Sequence, residues 1–224
     1  MTSDHADYDG IYDAPTVARY LLAGRMATEL YPVSSRSLIH WIRRGLALPE
    51  LAGVPGRRLI LTFEDMVSMR VIAALRAHGV KWSLIHAAEV WLRKNMGHDR
   101  PFATEQLWTA NSEVFTKLRD QIVSASRQGQ LALEIIEDYL IPISGLSFEQ
   151  QVARRWKPRD FIELDPLVQF GASVVQGTGV PTRAIWGMVR AGDPISMVAR
   201  AYEISPQQAQ AAVDWEDDLK RLAA

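Results

Sequence analysis

The stretch from Val33 to Val80 constrains this chain more than any other. VSSRSLIHWIRRGLAL, Val33 to Leu48, predicts a short helix over residues 35–44. Leu38, Ile39 and Ile42 fall on one side of it, and Gly45 is a natural stop. Gly53, Pro55 and Gly56 then punctuate the chain, and Arg57-Arg58-Leu59-Ile60-Leu61 reads as an edge strand after a turn. Thr62 is a good cap for a longer helix to about Ala77. Glu64 and Asp65 lie in its first turn, where the helix dipole favours carboxylates, and Gly79 ends it. A short helix with an apolar inner face, a basic hairpin beside it and a helix behind both is an arrangement that enters a groove of DNA.

The outer face of the short helix carries Ser34, Ser35, Arg36, His40, Arg43 and Arg44. Arginine pairs bidentately with guanine, and Arg36, in the first turn, is the expected base or groove contact. Arg43 and Arg44 are expected phosphate clamps, and Arg57 and Arg58 reach the adjacent backbone from the wing. Trp41 is expected to pack inward rather than stack on a base. Charge agrees with this placement. The 224-residue chain has a net charge of −1. Residues 33–81 alone hold eight basic and three acidic side chains, a surplus of five, whereas residues 1–32 are net −3 and residues 165–224 net −2. A surplus confined to one module steers that module toward phosphates.

Much chemistry is excluded. There is no cysteine, so disulfides, thiolate metal sites and cysteine nucleophiles are ruled out. No apolar run is long enough for a membrane span, and MTSDHADYDG lacks the pattern of a secretory signal, so a cytosolic protein is expected. The five histidines form no zinc-ligand spacing, and the serines have no base partner at a recognisable motif. Asp160, Glu163 and Asp165 read as a loop before a domain start rather than a cation site. Gly177-Thr178-Gly179 lacks the lysine and spacing of a phosphate loop. No enzyme activity, cofactor or metal is expected.

Four segments follow from punctuation and periodicity: a loose arm over 1–11, a helix-rich unit over 12–96, a small α+β unit over 97–164, and a terminal unit over 165–224. The first unit opens with a helix over Ala14–Leu22, leaves Ala23–Pro32 as a long link, and closes with a helix over Leu84–Lys94. In the middle unit Phe102, Leu107, Trp108, Val114 and Phe115 mark short strands, Leu131–Leu140 a helix and Phe148–Trp156 a strand. In the terminal unit residues 167–175 read as two short strands meeting at Gly171. Thr182 caps a helix to Ala191, Ile195–Ala201 forms a second, and Ser205-Pro206 opens a third to about Leu219. Gly171, Gly177, Gly179 and Gly192 fit turns with unusual dihedrals or close backbone approach. The cluster Asp214, Glu216, Asp217 and Asp218 reads as an acidic end, exposed to solvent or turned to a protein partner. The fold class is mainly α with small β elements (α+β).

Val33–Gly45, followed by GRRLILTFED (56–65) and HGVKWSLI (78–85), resembles the winged helix-turn-helix domain of MerR-type regulators over about residues 12–95. That resemblance implies a dimer gripping DNA. Two departures are visible: the 23–31 link is long, and neither the long dimerising coiled coil nor the cysteine effector site is present. DPLVQFGASVVQGTGVPT (165–182), AGDPISMVARAYEIS (191–205) and VDWE (213–216) resemble the short antitoxin domain of the VapB-like group, partners of PIN-domain ribonucleases. Gly179 stands where arginine is common in that pattern, so a charged contact there is not carried over. Together the resemblances imply a type II antitoxin that binds a PIN-domain endoribonuclease toxin and represses operator DNA as a homodimer. A MerR-like regulator whose terminal module dimerises or senses a ligand, and a helical interaction protein without a DNA target, are the other readings of the same residues.

Overall fold

A computed structural model of the chain describes residues 10–24, 33–45, 59–77, 79–105 and 145–223. Over these residues the fold is mixed, with several helices and two small antiparallel sheets. The first half runs β1 (Tyr12–Asp13), α1 (Ala14–Ala23), α2 (Ser35–Arg43), β2 (Ile60–Leu61), α3 (Phe63–Ala77) and α4 (Trp82–Met96). The second runs β3 (Leu146–Glu149), β4 (Val152–Arg159), β5 (Ile162–Leu164), β6 (Ser173–Val175), α5 (Thr182–Arg190), α6 (Ile195–Ala201) and α7 (Pro206–Arg221).

Local chemistry starts and stops these helices. The Asp13 carboxylate accepts from the Thr16 amide at 2.8 Å and opens α1. At α3 the expected Thr62 cap is reciprocal: the Asp65 amide donates to the Thr62 hydroxyl at 3.2 Å and the Thr62 amide to the Asp65 carboxylate at 2.9 Å. Ser205 and Gln208 make the same box at α7. Gly97, at φ 65, ends α4 in the left-handed region. That helix extends beyond the expected Leu84–Lys94 at both ends.

Helix α3 is the centre of the first half. Every residue from Asp65 to Leu75 is buried, because α1, α4, β4 and the 3-10 turn Pro101–Ala103 pack around it. Its polar residues are therefore inside. The Arg100 Nε donates to the Asp65 Oδ1 at 3.0 Å, with the carboxylate side chain 0% and the arginine side chain 9% exposed. Burial pushes the Asp65 carboxyl up, against the opposing pull of the Thr62 amide and Arg100. Arg70 lays its guanidinium 5.0 Å from the ring centre of Trp156 on β4, joining α3 to the second sheet.

Several expectations give way to the observed geometry. The strand expected over Arg57–Leu61 is present at Ile60–Leu61 and pairs with β1, Tyr12 opposite Leu61. The hairpin turn at Gly53–Gly56, together with Arg57 and Arg58, lies outside the described residues, as do most of the 1–11 arm, residues 25–32, and Leu107, Trp108, Val114, Phe115 and Leu131–Leu140 in the middle unit. Phe102 sits in the 3-10 turn that Pro101 begins, not in a strand. Phe148–Trp156 is not one strand. Gln150 and Gln151, at φ 49 and 67, reverse the chain between β3 and β4, as a tight hairpin turn with two left-handed residues requires. The second sheet has the order β3-β4-β5-β6, so the line drawn between residues 164 and 165 falls inside a continuous sheet. Residues 167–175 hold one strand, β6, preceded by the turn Gln169–Gly171. Thr182 begins α5 without capping it. Its hydroxyl turns inward to the buried Glu216 carboxylate and lies 2.7 Å from the Ser173 hydroxyl.

The three terminal helices pack on one another, α5 and α7 also dock on the sheet, and α7 reaches α1. Trp215 is fully buried, its ring 5.8 Å from Tyr20 on α1, and Tyr20 meets Tyr12 edge-on at 6.2 Å.

The Asp65–Arg100 pair gives a stability test. Asp65→Ala leaves a buried guanidinium uncompensated and is expected to cost about 3–5 kcal/mol in urea unfolding. A group whose folded pKa is raised favours folding most on the acid side, and that contribution is lost as pH rises through the folded value. The stability of the wild type minus that of Asp65→Asn is therefore expected to fall as pH rises through the carboxylate range; a constant or rising difference contradicts the assignment.

Candidate nucleic-acid interface

Helix α2 owes its outward face to what lies beneath it. The Ser34 hydroxyl accepts from the Ser37 amide at 3.1 Å, so Ser34 is the N-cap and its oxygen is engaged locally. Leu38 and Trp41 are the fully buried residues, with Ile39 and Ile42 half-buried beside them. Trp41 packs 5.4 Å from Trp82 at the start of α4. The Arg76 guanidinium lies 4.5 Å from the Trp82 ring centre and donates to the Val80 carbonyl at 2.6 Å. Trp41 thus packs inward as the sequence implies, and Trp82 and Arg76 complete the support. No spacing rule links those two residues to α2.

The opposite side is polar and open. Arg36, His40, Arg43 and Arg44 are exposed, and Ser35 is half-buried. Arg36, His40 and Arg44 follow one another at four-residue steps and Arg43 lies three after His40, so the four share one stripe. Among the described residues none of these arginines is paired with a carboxylate. A row of unpaired guanidinium groups on a rigid helix suits phosphate oxygens and base edges.

The glycines differ among themselves. Gly171, at φ 85, sits against Tyr12: the Tyr12 hydroxyl donates to the Gly171 carbonyl at 3.0 Å, and a Cβ there would lie 2.0 Å from the tyrosine oxygen. Gly177 and Gly192 have positive φ but open surroundings, and Gly179 has neither a positive φ nor a close neighbour. The acidic end is not a free acidic surface. Glu216 is buried and hydrogen-bonded by Thr182. Asp217 takes the Trp186 indole N–H at 2.7 Å and Arg190, which holds its carboxyl below the ordinary range. Asp218 pairs with Arg159 and Arg221. Asp214 alone of the four is exposed. Glu163 lies buried in β5, and among the described residues no group of carboxylates and histidines is arranged to hold a metal ion. No helix of the described residues is long and apolar enough to cross a membrane.

Gly171→Ala combines a left-handed backbone with a clash against Tyr12 and is expected to cost more than about 2 kcal/mol. Gly179→Ala is expected to stay within about 0.5 kcal/mol of wild type. Thermal or urea unfolding of the two variants compares them directly, and equal costs refute the contact.

Residues 162–215, from β5 to Trp215 in α7, match a family model described as "Protein of unknown function (DUF433)". The chain is 29% identical over 185 residues to the putative antitoxin VapB45 of Mycobacterium tuberculosis, covering 75% of each chain. The crystal structure of Rv2018 from Mycobacterium tuberculosis superposes with a TM-score of 0.70 at 25% identity, over 90% of this chain and 96% of that one. The similarity is therefore to a VapB-type antitoxin, and it extends well beyond the terminal unit.

Proposed function

We propose that the chain is a non-catalytic antitoxin of a type II toxin–antitoxin module. Its second half binds and inhibits a PIN-domain endoribonuclease, and its first half binds operator DNA as a dimer and represses transcription. The observation that carries this reading is the likeness to the putative antitoxin VapB45 over three quarters of both chains. The likeness exceeds what a shared terminal module alone would give. The DNA half of the proposal is supported by the exposed stripe Arg36, His40, Arg43, Arg44 on α2. The order β1, α1, α2, β2, α3, α4 supports reading this half as a MerR-like winged helix. Arg57 and Arg58 then belong to the wing, and Ser34 and Ser35 sit at the end of the recognition helix nearest the bases. Two-fold symmetric operators explain the expected dimer.

The identity of the neighbouring gene product, and its co-expression with this chain, test the first half of the proposal: a neighbour without a PIN domain, no complex, or no rescue of growth sinks it. Gel shifts on the upstream DNA test the second. Arg36→Ala is expected to cost about 1–3 kcal/mol and to relax the sequence preference, while Arg43→Ala and Arg44→Ala weaken all sequences alike and each lower the salt slope by about 1. Unchanged specific binding in an Arg36→Ala/Arg57→Ala double variant places the interface elsewhere.

A further inference from the structure

The turn before β6 is strained and exposed at once. Gln169 and Phe170 both have left-handed backbones, at φ 51 and 55, although neither is glycine. Such conformations persist only where surrounding contacts enforce them, and they cluster at functional sites. Here the enforcement is visible. The Ile11 amide donates to the Phe170 carbonyl at 3.3 Å, the Gln169 side-chain amide to the Gly179 carbonyl at 3.3 Å, and Tyr12 to Gly171. The product of this strain is an apolar knob: Phe170 is 68%, Leu167 67% and Ile11 59% exposed.

Gln169 also lines a neighbouring cleft of about 510 Å³ between α1, the start of α5 and the end of α7. Arg19, Arg183 and Lys220 reach it from these three helices. Among the described residues the single carboxylate there, Glu216, is turned to the Thr182 hydroxyl. Arg19 bonds to the Thr16 hydroxyl at 3.1 Å and the Lys220 ammonium lies 3.7 Å from the Trp186 ring centre. Neither contact neutralises a charge. Three cations against one carboxylate leave the cleft positive on a chain whose net charge is −1.

We infer that the toxin docks on this face, seating an acidic segment in the Arg19–Arg183–Lys220 cleft and an apolar surface over Leu167 and Phe170. The inference rests on the antitoxin reading above. Arginine beside exposed aromatic and aliphatic side chains is the chemistry of protein-interface hot spots. Rigid presentation of the knob lowers the ordering cost of association. A small anion would fill the cleft but leave the convex knob bare, whereas a protein surface covers both.

The test uses the full chain and the PIN-domain toxin that the co-expression experiment identifies, with the dissociation constant measured at low and high salt. Arg183→Glu/Lys220→Glu is expected to weaken binding about 100-fold and to flatten its salt dependence, as reversal of close interfacial charges does. Phe170→Asn removes the ring but keeps a residue that tolerates the left-handed backbone. Loss of an anchor of this size is expected to weaken binding about 10-fold or more. Arg36→Ala/Arg43→Ala on α2 is the control that leaves toxin affinity unchanged, and circular dichroism melting confirms that each variant folds. If the wild type binds and both site variants bind equally well, the docking face is wrong and the antitoxin reading stands. If only Phe170→Asn weakens binding, the acidic segment is overturned. If the wild type itself does not bind, the antitoxin reading fails and the docking face with it.

Discussion

One guanidinium joins three elements from the two halves of this protein. Arg159, the last residue of β4, donates through Nε to the Ala23 carbonyl at 2.8 Å, at the negative end of the α1 dipole. Its other end pairs with Asp218 on α7, and its plane lies 5.3 Å from the ring centre of Trp215. Arginine serves here because its planar, always-charged fork satisfies a carbonyl, a carboxylate and an indole face together; lysine offers one point charge. Trp156, three residues earlier on β4, fills the space beside the same helix end. A Cβ on Gly24 would come within 3.0 Å of its ring, and Arg70 from α3 stacks over it. The end of α1, the central helix α3, the four-stranded sheet and α7 are thus held in one cluster.

That cluster fixes where the functional surfaces lie. Helix α1 packs against α2 on one side and against α7 on the other. The column Tyr12, Tyr20, Trp215 runs through it, and Tyr12 reaches on to Gly171. The arginine stripe on α2 and the exposed turn at Phe170 are accordingly mounted on a shared rigid element. Since Arg19 on α1 also lines the cleft, a partner seated there would touch the helix that braces α2.

What was legible in the sequence was local. Caps decide helix starts within four residues, so Thr62 with Asp65 and Ser205 with Pro206 were readable, and α6 falls at Ile195–Ala201 as expected. The α2 stripe followed from the alternation of arginine with aliphatic residues over nine positions. The illegible features are those decided by distant partners. Gln150-Gln151 is not a favoured pair for a tight hairpin, and only pairing of β3 with β4 forces both residues left-handed. Thr182 has the composition of a cap, yet Glu216 and Ser173, brought in by the fold, claim its hydroxyl. The cations at 19, 183 and 220 share no spacing that a linear pattern reveals.

Charge shows the same lesson most sharply. The basic surplus of residues 33–81 points to an electropositive module, but part of it is internal: Arg70 is 3% exposed over Trp156, and Arg76 is spent on Trp82 and the Val80 carbonyl. Among the described residues the outward share is Arg36, Arg43 and Arg44 along α2 and Lys81 before α4. In the terminal unit, net −2 by count, Glu216, Asp217 and Asp218 are taken up by Thr182, Trp186, Arg190 and Arg159. Arg183 and Lys220 face the cleft. A segment that counts as acidic can therefore present a basic recess, because a paired carboxylate contributes little field beyond its partner while an unpaired ammonium or guanidinium contributes its full charge. The surface a partner meets is set by which charges the fold has already used.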